Sequence, residues 1–481
     1  MQAVSDIARY DRQNRIEGWD QEKLENARVC VLGSGSLAQF TALPLAALGL
    51  GHVELYDVCR ISKQSREDFL CSRQKKGDDK TKSLESILKK VNPAVDVKGI
   101  NMRLHHKSQQ TILQNFDVII DCTNDPFSKL IALEYGRDSR IPVISAASSA
   151  DLGELVVSRG RFDESFLFAD YLNKTQKAST SMVIGGLIAD EVRKLVMPLK
   201  DRPIDRIISY NLKSKKRTGY AQDIELNPKK YIADMHVVLV GAGALGNFVG
   251  LGMAINGARK LTVFDDDVVE ETNLNRQVLF YDSVGRHKAE ALVEKLAEIN
   301  SGIDYEVYNK RVGKNFGKFL KDEKPALIID CVDNFKTRAL LNYFARSMQV
   351  PFIGGGTDFK SGQAVVYVPG KTGCFQCQLK IDDLALKSYR PQSCIYAAEP
   401  SVVISNQVVG GFIMNEVRTV LSPHIHGEPV QGILKYNSSD KARIGMIGAR
   451  KACDCHEKPK EFYKAWSKKM NKLYAKGGKN G

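Results

Sequence analysis

Three glycines in the stretch VVLVGAGALGN could bind a phosphate. Gly241, Gly243 and Gly246 follow a run of β-branched residues in the pattern G-x-G-x-x-G. A glycine turn between a strand and a helix can direct backbone N–H groups at an anion, and the helix dipole favours a phosphate there. NAD, FAD and ATP all carry such a group. A tight turn that needs glycine for backbone reasons alone is the structural alternative.

Cysteines with the spacing of metal ligands lie in the last third of the chain. Cys374 and Cys377 form a C-x-x-C pair, and Cys453 and Cys455 form a C-x-C pair near the carboxyl end. Two thiol pairs from distant parts of a chain are typical of a tetrahedral structural zinc, which would tie the C-terminal segment to its domain. His456 is a spare ligand. Buried thiols without a metal, or a redox disulfide, are the alternatives.

The elements that must position these residues occur in two copies. RVCVLGSGSLAQ parallels HVVLVGAGALGN, and Gly241 lies 208 positions after Gly33. The register then persists for more than a hundred residues, which indicates a duplicated domain. Each copy alternates apolar strands with amphipathic helices. The sequence therefore predicts two tandem doubly wound, Rossmann-like, mostly parallel α/β sheets, packed as a pseudo-twofold dimer.

The polar connector, the apolar runs and the net charge indicate the domain limits, the cellular location and the kinds of partner to expect. We expect domains at 1–222 and 223–481, joined by the polar stretch LKSKKRTGYAQDIELNPKK, with a basic tail at the end. No apolar run is long enough to cross a bilayer and no signal-peptide core is visible, so we expect a cytoplasmic protein without a membrane partner. The net charge of +14 lies partly in the tail. No nucleic-acid-binding motif accompanies it, and nucleic acid is not an expected partner.

The two copies differ where a nucleotide would need neutralising charge. Arg276 of the second copy faces Asp68 of the first, and Asp333 faces Asn124. An aspartate in place of an arginine would repel a triphosphate, so the first copy is expected to be inactive. The motif RYDRQ, which contains Arg12, has no counterpart in the second copy. We expect this arm to reach the nucleotide of the second copy, the alternative being a surface arginine.

Four motifs together carry a resemblance to a known family. They are RYDRQ at 9–13, DDDVVEETNLNRQ at 265–277, VGRHK at 284–288 and DCVDN at 330–334. On these motifs the chain resembles the ubiquitin-like-protein activating enzymes, the ThiF/MoeB-type adenylyltransferases, with an inactive and an active adenylation domain fused in one chain. The resemblance extends over nearly the whole chain. A large inserted cysteine domain and a C-terminal ubiquitin-fold domain are missing from the pattern, so a minimal version is expected.

The resemblance implies that the nucleotide is ATP, used with magnesium. Nucleotidyl transfer needs positioned cations on the triphosphate and a metal held by carboxylate. Asp265 is expected at the ribose, Asp333 at the magnesium, and Asp267 at the metal or beside Arg276. The cofactor-binding residues are then Gly241, Gly243, Gly246, Asp265, Asp267, Asn273 and Gln277, and the residues implied in catalysis are Arg12, Arg276, Lys288 and Asp333.

The implied reaction is adenylation of the C-terminal glycine of a small ubiquitin-like protein that ends in Gly-Gly. In relatives without a separate cysteine domain, a cysteine in the place of Cys394 then forms a thioester. A following helix and the nearby Arg390 would lower the pKa of that thiol. The product would pass to a conjugating enzyme.

Other interpretations stay open. Cys394 could be an incidental buried cysteine, and Arg390 could serve the substrate tail. The chain could stop at the adenylate and supply a sulfur donor, as sulfur-carrier activators do. It could bind ATP as a scaffold without turnover, or it could be an NAD-dependent oxidoreductase.

Overall fold

The computed structural model of the chain describes residues 6–62, 66–72, 74–214, 216–218, 235–313, 315–387, 401–448 and 468. Its first half contains α1 (Asp6–Arg9), α2 (Asp11–Asn14), α3 (Gln21–Asn26), β1 (Arg28–Leu32), α4 (Ser36–Leu48), β2 (His52–Asp57), α5 (Lys80–Val91), β3 (Asp96–Asn101), α6 (Gln109–Leu113), β4 (Val118–Asp121), α7 (Pro126–Ser139), β5 (Val143–Ser148), β6 (Leu152–Ser158), α8 (Ala178–Val196) and β7 (Ile208–Asn211). Its second half contains β8 (His236–Val240), α9 (Ala244–Asn256), β9 (Lys260–Phe264), α10 (Lys288–Ile299), β10 (Asp304–Tyr308), α11 (Phe316–Glu323), β11 (Leu327–Asp330), α12 (Phe335–Ser347), β12 (Phe352–Thr357), β13 (Ser361–Tyr367), α13 (Phe375–Leu379), α14 (Ile381–Lys387), α15 (Val403–Leu421), α16 (Pro423–His426), β14 (Ile433–Asn437) and β15 (Ile444–Ile447).

Each half is built on one twisted sheet. The first has the strand order β3-β2-β1-β4-β5-β6-β7 and the second the order β10-β9-β8-β11-β12-β13-β14-β15. Neighbouring strands are parallel from β3 to β5 and from β10 to β12, and antiparallel beyond. The central strands β4, β8 and β11 are buried along their whole length, as helices on both faces of a parallel sheet require. The prediction of two tandem Rossmann-like sheets is confirmed.

The two halves share one apolar core and a pseudo-twofold axis. A Cβ on Gly185 of α8 would lie 2.7 Å from the backbone of Phe40, and a Cβ on Gly410 of α15 would lie 2.7 Å from the Cβ of Phe248. Phe248 follows Phe40 by 208 positions, so the two close contacts are copies of each other. Only glycine permits these approaches, because any side chain would overlap the neighbouring helix. The central helices α4, α8, α9 and α15 thus belong to a single hydrophobic cluster.

Two buried ion pairs cross between the halves in the same symmetrical way. Nε of Arg217, which follows β7, lies 2.6 Å from Oε1 of Glu416 on α15. Nε of Arg443, which follows β14, lies 3.0 Å from Oε1 of Glu191 on α8. The halves are therefore joined by reciprocal contacts.

The domain boundary proposed at residue 222 falls outside the described residues and stays a prediction. No helix in the described ranges is long and apolar enough to cross a membrane.

Candidate functional site

A pocket of about 1160 Å³ lies at the carboxyl ends of the parallel strands of the second sheet. Ligands of doubly wound sheets bind at this edge. Most of the residues predicted to surround a nucleotide line it together. They are Arg12, Gly241, Gly243, Asp265, Asp267, Asn273, Arg276, Gln277, Lys288 and Asp333. Their roles in binding stay predictions, but the fold brings them to one place.

The glycine turn after β8 forms one wall. Gly241 has φ +97°, and a Cβ there would lie 2.8 Å from the backbone of Cys331, so glycine is required. Gly243 is the N-cap of α9, and a Cβ there would meet nothing within 4 Å, because this position opens to the pocket. Gly246 is different. A Cβ there would lie 2.0 Å from the carbonyl oxygen of Gly241, so Gly246 shapes the turn and does not line the pocket.

Asp265 holds the glycine turn to the next loop. Its Oδ2 accepts a hydrogen bond from the N–H of Ala242 at 2.6 Å, and its Oδ1 accepts one from the N–H of Asp267 at 2.9 Å. Burial raises the pKa of the Asp265 carboxyl, and these two N–H donors offset part of that effect. The carboxylate is therefore preorganised at the mouth of the turn, where the sequence predicted a ribose contact.

Lys288 is fixed by an acidic partner. It begins α10, its side chain is 9% exposed, and its Nζ lies 2.9 Å from Oδ2 of Asp267, which is 59% exposed. Asp267, expected at the metal or beside Arg276, thus bonds Lys288, and its role at the metal stays a prediction. The hydrogen bonds of Arg276 Nη1 go to the carbonyl oxygen of Thr272 at 2.7 Å and to Oδ1 of Asn275 at 2.9 Å.

Two guanidinium groups from different halves line the same pocket. Arg276 is buried, and burial, followed by the positive charge of Arg12, lowers the pKa of Arg276 to about 10. Arg12 comes from α2 in the amino-terminal arm and lines the same pocket. A bound anion offsets the electrostatic repulsion between two positive groups in a low-dielectric site. This pair therefore has the character of a phosphate site.

The arm that carries Arg12 is anchored beside Arg276. Gln13 is fully buried, its Nε2 donates to the carbonyl oxygen of Leu48 at 2.9 Å, and its Oε1 accepts from Nδ2 of Asn275 at 3.3 Å. Asn275 in turn bonds Arg276. Gln13 and Asn275 were not predicted as site residues, although each is adjacent in sequence to one of the two arginines. They connect the arginines of the two halves through one hydrogen-bonded chain.

Gln277 carries a buried polar atom that the described residues leave unsatisfied. Its Oε1 has no hydrogen-bond partner there, although the side chain lines the pocket. Buried polar groups are almost always paired, so such an atom is suited to a ligand. Rotation of the amide exchanges its oxygen and nitrogen, which lets Gln277 offer a donor to a phosphate. Asn273, also buried, instead accepts from the N–H of Glu270 at 3.1 Å and shapes the turn.

Asp333 is exposed on the loop after β11, and a buried ion pair supports that loop. Nε of Arg338 lies 2.6 Å from Oδ2 of Asp330, and its Nη2 donates to the carbonyl oxygen of Val332 at 2.6 Å. Arg338 also lines the pocket, and the motif analysis missed it. Burial raises the pKa of Asp330 against the opposing charge of Arg338. Arg338 therefore positions the loop that presents Asp333.

The magnesium and zinc sites stay predictions. Within the described residues no group of three or more His, Cys, Asp or Glu side chains could hold a metal ion. Magnesium is usually bound by one or two carboxylates plus substrate phosphates, and the exposed Asp333 fits that pattern. The sulfurs of Cys374 and Cys377 are 3.8 Å apart. This is close to the sulfur–sulfur distance of two thiolates that bind one tetrahedral zinc through Zn–S bonds of about 2.3 Å. Cys394, Cys453 and Cys455 lie outside the described residues.

The first half fills its own glycine turn. Oε1 of Gln176 accepts from the N–H of Leu37 at 2.9 Å, and a Cβ on Gly35, the counterpart of Gly243, would lie 2.5 Å from that oxygen. Lys80 pairs with Asp68 at 2.7 Å. The inactivity of this half stays a prediction, and the occupied turn gives it a physical reason.

Comparisons with known proteins agree with the resemblance. The ThiF family model matches residues 10–229 and again residues 217–457. The chain therefore belongs to the ThiF family and contains its domain twice. It is 28% identical over 322 residues to ubiquitin-like modifier-activating enzyme 5 of Caenorhabditis briggsae, covering 61% of this chain and 71% of that protein.

Two further comparisons match parts of the chain to proteins of E. coli. The sulfur carrier protein ThiS adenylyltransferase of Escherichia coli K12 is 31% identical over 159 residues, covering 32% of this chain and 62% of that protein. A crystal structure of E. coli MccB with ATP is 24% identical, with a TM-score of 0.39, covering 47% of this chain and 66% of that chain. The curated relatives are named activating enzymes and adenylyltransferases, and the chain is an activating enzyme of this family.

Proposed function

We propose that the chain uses ATP and magnesium to adenylate the C-terminal glycine of a small ubiquitin-like protein that ends in Gly-Gly. The observation that carries the proposal is that Arg12 of the first half lines one pocket with Arg276 and Lys288 of the second half. Three cations around one glycine turn suit a triphosphate better than the pyrophosphate of NAD. The names of the relatives support the same class of substrate.

The chemistry follows from the charges. A carboxylate oxygen of the acceptor tail attacks the α-phosphorus, the bond to the β-phosphate oxygen breaks, and pyrophosphate leaves. Attack of one anion on another is slow unless charge is neutralised, which is the part we assign to Arg12, Arg276 and Lys288. Magnesium, held by Asp333 and the phosphates, would add further positive charge on the leaving group. Gln277 would satisfy its buried amide on a phosphate oxygen.

The rest of the pocket fits an extended polypeptide tail. Beyond the glycine turn it is lined by Gly355 and Gly356 of β12, Gly362 of β13, and the β14–β15 hairpin. A Cβ on Gly355 or Gly362 would meet Val409 of α15, so these glycines let α15 pack closely against the sheet. We assign the part of the pocket beside them to the Gly-Gly end of the acceptor.

The decisive experiment is partner-dependent exchange of pyrophosphate into ATP. Purified ubiquitin-like proteins with Gly-Gly ends should support exchange, and the same proteins shortened by one glycine should not. ATP binding without exchange for every such protein would favour a scaffold. Tight NADH binding without competition from ATP would favour an oxidoreductase.

We further propose that Cys394 takes the acyl group from the adenylate as a thioester. The support is its position in sequence shortly before α15, whose start lies next to Ser401 of the pocket. After reaction with ATP and the partner, a non-reducing gel should show a thiol-sensitive adduct that Cys394→Ala abolishes. Cys59→Ala, which removes an exposed cysteine of the first half, is the matched control. Adenylation without any adduct would favour transfer to a sulfur donor.

A further inference from the structure

The β14–β15 hairpin forms the wall of the pocket farthest along the sheet from the glycine turn. In the strand order, β14 and β15 are the last two strands, whereas Gly241, Asp265 and Asp333 follow β8, β9 and β11. The hairpin residues that line the pocket include Lys435, Asn437, Asp440, Arg443, Ile444 and Met446. The position of this wall depends on the contacts that hold the hairpin in place.

Its anchor lies in the first half of the chain. Arg443, in the turn of the hairpin, places its Nε 3.0 Å from Oε1 of Glu191 and donates from Nη2 to the carbonyl oxygen of Arg202 at 2.6 Å. Ser438 Oγ donates to Oδ1 of Asp190 at 2.9 Å. Glu191 and Asp190 both lie on α8. The wall of the active pocket is thus fastened to the central helix of the other domain.

Charge balance makes this attachment strong. Six side chains, each at most 6% exposed, form what we call the α8 charge cluster: Asp190, Glu191, Arg193, Lys194, Asp201 and Arg443. Three are acids and three are cations. Without Arg443 the first half would bury three acids against two cations. An uncompensated buried charge is costly, so the cluster requires Arg443 in place.

A pseudo-twofold copy of this anchor exists on the opposite side. Glu416 on α15 pairs with Arg217 at 2.6 Å and accepts from the N–H of Val430 at 3.0 Å. Glu191 likewise accepts from the N–H of Ile204 at 2.8 Å. Arg217 and Glu416 are not among the residues that line the pocket. Breaking the Arg217–Glu416 pair therefore weakens the contact between the two halves without changing a residue that contacts the pocket.

We propose that Glu191, a residue of the half with the filled glycine turn, is a positioning residue for the acceptor. Through Arg443 it fixes the hairpin against which an extended polypeptide tail lies, so that the terminal carboxylate meets the α-phosphate. Glu191 itself does not line the pocket and acts through its ion pair. The proposal rests on the proposed function and adds a specific role for the first domain beyond Arg12.

The test compares Glu191→Gln with Glu416→Gln in the full chain. The first substitution should raise the KM for the ubiquitin-like acceptor about tenfold in pyrophosphate exchange, leave the KM for ATP unchanged, and speed amide hydrogen exchange in residues 433–447. The control should leave both KM values unchanged and speed exchange around residues 208–218. Glu191→Asp keeps the negative charge on a shorter side chain and should change the acceptor KM and the hydrogen exchange in the same direction as Glu191→Gln, by a smaller amount. It provides the test if the neutral variant misfolds.

The outcomes separate the two proposals. If the wild-type enzyme shows no exchange with any Gly-Gly protein, the proposed function fails and the role of Glu191 fails with it. If exchange is present and Glu191→Gln loosens the hairpin without changing the acceptor KM, only the role of Glu191 is overturned. An equal rise in the KM for ATP and for the acceptor would also overturn it, because that pattern indicates a general disturbance of the site.

Discussion

The amide oxygen of Gln176 lies 2.9 Å from the backbone nitrogen of Leu37, at the helix start where the second half presents an open pocket. A neutral acceptor thus uses a donor that would otherwise face an anion. In the second half the equivalent position, two residues before α15, is Ser401, whose side chain is much shorter than that of glutamine. One side chain distinguishes a filled turn from an open one.

Exchanging these two residues tests that distinction. Ser401→Gln should reduce ATP affinity at least about tenfold, because the longer amide can occupy the N–H groups of the turn. Gln176→Ser should leave the stoichiometry at one ATP per chain, since Asp68 still stands where the second half has Arg276. Titration calorimetry measures both. Two ATP molecules bound by Gln176→Ser would contradict the inactive assignment of the first half.

Arg276 should stabilise the complex and destabilise the empty protein. Its pKa, about 10, lies below the ordinary 12.5 because of burial and Arg12, so the charged form carries a penalty below pH 10 that is relieved as the pH rises through this value. At pH 7 we expect Arg276→Met to raise the Tm of the empty protein by roughly 2 °C. The variant should lose the thermal shift given by ATP and about 100-fold of exchange activity.

The matched control is Arg286→Met, which removes a half-exposed arginine paired with Glu294. It should change neither the Tm shift nor the rate. A lower Tm for empty Arg276→Met would contradict this prediction, because it would mean that the hydrogen bonds of Arg276 to Thr272 and Asn275 outweigh the penalty on its charge.

Gln13 and Asn275 should act as one unit. Asn275→Ala removes the hydrogen bond of Asn275 to Arg276 and its hydrogen bond to Gln13 of the amino-terminal arm. We expect about tenfold slower pyrophosphate exchange with little change in ATP affinity. Gln13→Ala should have a similar effect. Because both substitutions break the same chain of contacts, the double variant should lose less than the sum of the two effects on the free energy of activation. Full additivity would show that the two residues act separately.

Zinc should bind at Cys374 and Cys377. We expect one zinc per chain by elemental analysis, a Tm lowered by a strong chelator, and loss of the metal in Cys374→Ser. Cys71→Ser, which alters a buried thiol of the first half, should keep the zinc. Protein without zinc and without a response to the chelator would favour unliganded thiols.

The α8 charge cluster predicts a defined pH dependence. Burial raises the pKa of Asp190, but the charges of Lys194 and Arg193 outweigh it and hold that pKa below the ordinary 3.8. Its stabilisation is therefore present above pH 3.8 and is lost as the pH falls through the lowered value. Asp190→Asn should cost about 3 kcal/mol in urea unfolding at pH 7 and pH 5, with a smaller difference near pH 3. A difference that grows on acidification would contradict this assignment.

The sequence predicted the parts of the molecule that repeat or that use short motifs. The fixed offset between the glycine turns of Gly33 and Gly241 indicated the two sheets, because chance matches do not keep register over more than a hundred residues. The charged residues of the motifs that follow β9 and β11 converge because the carboxyl ends of parallel strands lie at one edge of the sheet.

Contacts between distant segments were not visible in the sequence. Gln176 fills a turn 139 residues earlier, and Glu191 meets Arg443 across 252 positions. Such pairs depend on how the two halves pack, which composition and spacing do not encode. The ion pair of Asp267 with Lys288 was likewise not predicted, since the motifs suggested only that Asp267 supports the metal or orients Arg276.

The paired approach of Gly185 to Phe40 and Gly410 to Phe248 has an evolutionary consequence. In an assembly of two identical chains, every substitution appears on both sides of the axis, so one pocket cannot decay while the other is kept. Covalent fusion removes that coupling. Each half keeps its own copy of the glycine contact. The two pockets can then change separately, as the predicted inactivity of the first half requires.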